Sequence, residues 1–178
     1  MEKEFSRRSF LKMGTTAAAA MAVSPSLLMG KEKKDKKAAP QPLDRKLKIL
    51  AVGIGGRGAS VLRGLETEDI IGLCDVDWKY AAHIFERYPK AKRYNDYRVM
   101  FKEMLDEADA VVVATADHTH AIIAAEAIAA GKHVYVEKPL THTVYESRLL
   151  TKLAAKHKVA TQMGNQGASE EGVNLACE

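Results

Sequence analysis

The segment Gly53-Ile54-Gly55-Gly56-Arg57-Gly58 follows the apolar run 47–52, and Asp75 closes the next apolar run, 70–74. Each residue type meets a separate requirement for holding a dinucleotide. Gly53 permits a tight turn off a strand, Gly55 lets the backbone approach a pyrophosphate, and Gly58 lets the following helix pack closely on a sheet. That helix aims its N-terminus at the phosphates. Asp75 stands where a carboxylate accepts hydrogen bonds from the ribose hydroxyls of adenosine. Strand, glycines, helix and acid in this order predict cofactor contacts from Gly53, Ile54, Gly55, Gly56, Arg57, Gly58 and Asp75. The charge of Asp75 would repel a 2′-phosphate, which favours NAD over NADP. Arg57 is the cation of the turn that could contact such a phosphate and offset the repulsion.

A second cluster of reactive types is Glu137-Lys138-Pro139, at the end of the apolar run 133–136. A lysine can take the hydroxyl proton released in hydride transfer from a secondary alcohol, provided partial burial favours its neutral amine. Pro139 holds Lys138 extended, which aims the side chain. The competing reading of Glu137 and Lys138 is a solvated charge pair. Asp117-His118-Thr119-His120 carries the His-x-His spacing of two metal ligands. No third ligand cluster accompanies it, so no metal is expected.

Short apolar runs alternate with helical patterns from Asp44 onward. Strands are predicted at 47–52, 70–74, 110–114, 133–136 and 159–163, and helices at 59–65, 79–87, 98–105, 121–130 and 144–156. Gly131 suits a helix C-terminus, and Thr143 with Glu146 matches a capping box. Apolar strands spaced by single helices imply an α/β fold, a doubly wound parallel sheet covered on both faces. Ligands of such sheets bind at the carboxyl ends of the strands. The glycine turn, Asp75, Thr115 to His120, Glu137-Lys138-Pro139 and Gly164-Asn165-Gln166-Gly167 all fall on that edge, which groups them into one candidate site.

The ends of the chain have a different character. The net charge of +4 divides into 12 Lys/Arg against five Asp/Glu over residues 1–48, and 15 against 18 over 49–178. The folded part therefore offers no electrostatic case for nucleic acid. Ser6-Arg7-Arg8-Ser9-Phe10-Leu11-Lys12 resembles a twin-arginine export motif, and the stretch 13–29 behind it is too short and polar for a stable membrane span. Residues 1–30 are read as this signal, which makes the export machinery a partner and the periplasm the destination. Residues 31–43 form a linker with five lysines and two prolines. The two cysteines suggest no disulfide framework, and Cys74 reads as a buried small hydrophobe.

From about Leu47 onward the chain resembles the Gfo/Idh/MocA oxidoreductases. The resemblance rests on residues 53–58, Asp75, Thr115 with His120, and above all Gly131-Lys132-His133-Val134-Tyr135-Val136-Glu137-Lys138-Pro139. Gln162-Met163-Gly164-Asn165-Gln166-Gly167 further resembles an exported branch. The resemblance implies a Rossmann-type nucleotide-binding domain, here 44–165, followed by a second α/β domain with a large open sheet, begun at 166–178. It implies NAD- or NADP-dependent chemistry on a sugar, inositol or related polyol, with Lys138 contacting substrate and assisting proton transfer. Glu137 is expected near the nicotinamide ribose or orienting the lysine. Thr115 and His120 are expected beside the dinucleotide, with His120 capping the helix 121–130. Asn165 is expected near nicotinamide or substrate.

The resemblance places the start of the second domain where the chain stops, at Glu178. The expectation is a truncated product or fragment that lacks most of that domain, with homo-oligomerisation belonging to the full-length form. Two rival functions share these residues. One is an NAD-dependent glycosidase of the same fold, and the other is a non-catalytic nucleotide-binding remnant.

Overall fold

The computed structural model describes residues 44–168. The export signal and linker expected over 1–43 lie outside the described residues, as do residues 169–178. Six strands build one sheet: β1 (Lys48–Val52), β2 (Asp69–Cys74), β3 (Lys92–Tyr94), β4 (Ala110–Val113), β5 (His133–Glu137) and β6 (Thr161–Gly164). Five α-helices connect them: α1 (Arg57–Arg63), α2 (Ala82–Arg87), α3 (Tyr97–Met104), α4 (His120–Ala129) and α5 (Val144–His157).

All neighbouring strands pair in parallel, in the order β3-β2-β1-β4-β5-β6. Side chains of a strand alternate between faces, and here both faces are covered. Ile49 and Ala51 of β1 join Leu62 of α1 with Ile84 and Phe85 of α2 in one cluster. Leu50 and Val52 join Met100 and Phe101 of α3, Ile123 of α4 and Leu150 of α5 in the other. The chain winds outward from β1 through β2 to β3, then outward in the opposite direction from β4 through β5 to β6. The reversal leaves a crevice between the carboxyl ends of β1 and β4, where such sheets take ligands.

Five of the strands coincide with apolar runs in the sequence, and β3 does not. It is a three-residue edge strand, Lys92-Arg93-Tyr94, and Tyr94 is its one buried residue. A strand that buries one side chain leaves no periodicity to read. The helix predicted from residue 79 starts at Ala82 instead. Asp77 Oδ1 accepts from Lys79 N at 3.1 Å and Tyr80 N at 2.9 Å, which turns the chain before the helix begins. The strand predicted from residue 159 starts at Thr161, because Lys158 caps α5 in the left-handed region (φ 55°) and Val159 N still donates to Ala154 O.

Gly131 has a positive φ of 77° just after α4, as a helix-ending glycine requires. At the start of α5, Thr143 Oγ1 accepts from Glu146 N while the Glu146 carboxylate accepts from Thr143 N at 2.8 Å. This is the capping box legible in the sequence. Thr143→Ala removes one half of it and is expected to cost about 1 kcal/mol in denaturant unfolding.

Candidate functional site

The glycine turn is fixed by its neighbours on both sides. Gly53 adopts φ 79° directly after β1, and its N–H donates to Cys74 O at 2.9 Å. A Cβ on Gly53 would stand 2.6 Å from the Ala114 carbonyl beyond β4, and a Cβ on Gly58 would overlap the Gly53 carbonyl oxygen. Only glycine lets α1 start this close to the strand that precedes it. Asp75 takes part in the same lock. Its Oδ2 accepts from Ile54 N at 2.8 Å and Gly55 N at 2.9 Å, and its Oδ1 accepts from Asp77 N at 3.0 Å. A carboxylate has about four acceptor positions, so capacity remains for a ribose hydroxyl.

A cleft of about 700 Å³ opens above this turn, lined among others by Gly53, Gly56, Asp75, Tyr80, Thr115 and Ile122. Its size and its mixture of apolar walls with a few backbone and carboxylate groups suit a dinucleotide's adenosine half. Tyr80 lies directly over Gly55, in the space a Cβ there would need. Cys74 is on the cleft floor, and burial, followed by the charges of Asp75 and Asp96, pushes its thiol up to about 12. It stays protonated and inert, a small hydrophobe as the sequence suggested.

The other end of the site is built at the end of β5. Glu137 is 3% exposed, and its carboxylate accepts from Arg57 Nε at 3.1 Å, Gln166 Nε2 at 2.6 Å, Tyr135 Oη at 3.3 Å and Lys138 N at 3.2 Å. Burial pushes the Glu137 carboxyl up, but the hydrogen bonds from Arg57, Gln166 and Lys138, with the Arg57 charge, hold it below the usual value. Glu137 is therefore ionised at neutral pH. Lys138 is exposed, so these residues do not supply the partial burial expected for its amine.

Two expectations need correction. Arg57 does not pair with Asp75; its side chain reaches Glu137 at the end of β5. The buried carboxylate captures the guanidinium because an ionised glutamate in that position needs a counter-charge. His120 does not cap α4 either. Its ring is 1% exposed, with Nδ1 2.7 Å from Pro139 O and Nε2 3.0 Å from Thr115 O. It ties the loop after β4 to the Lys138-Pro139 step, whose peptide bond is cis, and it is absent from the cleft wall.

The other residues of the expected site divide between the cleft and its surroundings. Thr115 is on the cleft wall and its Oγ1 accepts from Thr119 Oγ1 at 2.7 Å. Asn165 is exposed beyond β6, and its N–H donates to Met163 O. Gln166, the next residue, reaches Glu137; the sequence put this turn on the site edge but singled out Asn165 within it. A glutamine in a Gly-Asn-Gln-Gly turn has no distinctive spacing, and only the adjacency of β6 to β5 brings it to Glu137. Among the described residues no group of three or more His, Cys, Asp or Glu could hold a metal, and no helix is long and apolar enough to cross a membrane.

Several known proteins are similar to this chain. The chain is 29% identical over 132 residues to the inositol 2-dehydrogenase of Salmonella paratyphi B, covering 71% of this chain and 39% of that protein. It is 31% identical over 160 residues to the glycosyl hydrolase family 109 protein 2 of Shewanella sp. strain ANA-3, covering 80% and 35% respectively. The crystal structure of GenD2 from gentamicin A biosynthesis in complex with NAD is similar at a TM-score of 0.60 and 31% identity, over 70% of this chain and 36% of that one. The chain thus spans well under half the length of these relatives. Residues 4–24 match the twin-arginine translocation signal sequence, so the chain carries an export signal. Residues 47–165 match the Gfo/Idh/MocA oxidoreductase family model, an NAD-binding Rossmann fold, and the chain belongs to that family.

Proposed function

We propose that this chain binds NAD in preference to NADP and serves a periplasmic oxidoreductase acting on a sugar, inositol or related polyol. The observation that carries the cofactor reading is the separation of the turn's two charges. Asp75 remains at the β2 end with its carboxylate on the turn's amides, and Arg57 is held at the β5 end by Glu137. A 2′-phosphate at the adenosine ribose would meet the carboxylate without the cation. When bound, the nicotinamide supplies the hydride acceptor or donor.

The chain's residues do the rest. The glycine turn and Asp75 hold the adenosine and pyrophosphate, and Thr115 borders the cleft where strand order reverses. Lys138, exposed at the carboxyl end of β5, takes the hydroxyl proton as hydride leaves the carbon, once bound cofactor and substrate desolvate its amine and favour the neutral form. Glu137 anchors the lysine's backbone N–H and stands where a nicotinamide ribose would pass.

Calorimetry with NAD and NADP tests the cofactor reading. NAD is expected to bind the wild type more tightly, and Asp75→Ala to weaken NAD by about 10- to 100-fold, equivalent to roughly 1.4–2.8 kcal/mol. Equal affinity in wild type and variant would remove Asp75 from the site.

The likeness to a family 109 glycosyl hydrolase over 80% of this chain supports a second reading. Such a protein would use tightly held NAD to oxidise and re-reduce a sugar transiently, with the same residues. Turnover of an aryl glycoside without net NADH release distinguishes it from a dehydrogenase.

A further inference from the structure

The donors around Glu137 are arranged unevenly, and the imbalance has a use. Arg57 Nε, Tyr135 Oη and Gln166 Nε2 all converge on Oε1, whereas among the described residues Oε2 accepts only the Lys138 backbone N–H. The proton count closes. The Gln166 amide gives one N–H to Glu137 and the other to Tyr135 Oη at 3.0 Å, and the tyrosine hydroxyl donates onward to Glu137. Gly164 makes room for the arrangement, since a Cβ there would stand 2.5 Å from Tyr135 Oη and 2.7 Å from Glu137 Oε1.

We propose that Gln166 is a positioning residue for the distal half of the dinucleotide. It pins Glu137 through Oε1 and so presents Oε2 to a hydroxyl-bearing group at the end of β5. The inference rests on the cofactor reading above. Gln166 touches no cofactor itself; it acts through the glutamate, and through that glutamate on the Arg57 guanidinium.

A structural role alone would affect every ligand of the cleft alike, and a positioning role would not. The test is calorimetry on the 178-residue chain with three ligands: NAD, ADP-ribose and AMP. AMP reaches only the Asp75 end, and the other two extend to β5. Gln166→Leu is expected to weaken NAD and ADP-ribose by about tenfold and AMP by less than about twofold. Gln166→Glu is expected to weaken the two long ligands further, because it sets a second carboxylate against Oε1. Tyr135→Phe, which deletes only the hydroxyl, is expected to show the same ligand dependence at smaller size, and it serves if the Gln166 variants fail to fold.

An unchanged NAD affinity, or an equal loss for all three ligands, overturns the inference and leaves the cofactor reading standing. Failure of the wild type to bind NAD at all overturns both.

Discussion

Gly58→Ala is expected to abolish measurable NAD binding and to lower the chain's stability by about 2–3 kcal/mol. The new methyl group would overlap the Gly53 carbonyl oxygen, and neither partner can retreat. Gly53 is already wedged against the backbone of Ala114 and hydrogen-bonded to Cys74, so it cannot move toward either neighbouring strand. The remaining escape is for α1 to lift off the sheet. That movement would draw Ala59 and the fully buried Leu62 out of the core and open a void beneath the helix. It would also pull Ile54 N and Gly55 N away from Asp75, dismantling the proposed phosphate cradle and ribose acceptor together. Denaturant unfolding reads the stability and calorimetry reads the binding. Gly167→Ala is the control, because a Cβ there meets nothing within 4 Å. A Gly58→Ala chain that binds NAD like the wild type would contradict the account of the turn.

How much of this was legible in the sequence depends on whether a feature is local. The glycine turn, the Thr143–Glu146 capping box and the Gly131 helix end each follow from a few adjacent residues, and each stands in the structure as expected. Strands β1, β2, β4 and β5 were visible because a strand covered on both faces is largely apolar, and the edge strand β6, with Thr161 and Gln162 exposed, through the run 159–163 that overlaps it. The edge strand β3 escaped because it buries Tyr94 alone. What the sequence did not show concerns long-range partners. Arg57 and Glu137 are 80 residues apart, and nothing near Arg57 says that a buried carboxylate will capture it. His120 sits at the start of a helix, where a capping role is the local expectation. Its ring instead meets carbonyls at positions 115 and 139, and the second of these comes from the next strand's end. The turn holding Gln166 was legible on this edge, but its contact with Glu137 became visible only once β6 was seen beside β5. Sequence thus located the edge of the sheet on which the site lies, whereas the pairing across that edge required the fold.

Lys138→Met is expected to produce the largest change in turnover. In a polyol that the wild type oxidises with NAD, the rate of NADH formation should fall by about 10²- to 10⁴-fold, the range for losing a positioned acid–base group. NAD affinity should stay within about threefold, since the proposed cofactor contacts come from the glycine turn, Asp75 and Glu137. The substitution isolates the amine because methionine keeps an unbranched stem and removes only the proton-carrying head. Glu137 cannot replace it as the base, being 3% exposed and held ionised, with its Oε1 already shared by three donors. His120 cannot do so either, because each of its ring nitrogens already faces a backbone carbonyl. Lys138 is exposed at the end of β5, so substrate can reach it without displacing any of these contacts. A wild-type rate from Lys138→Met would move the proton-transfer role off this residue.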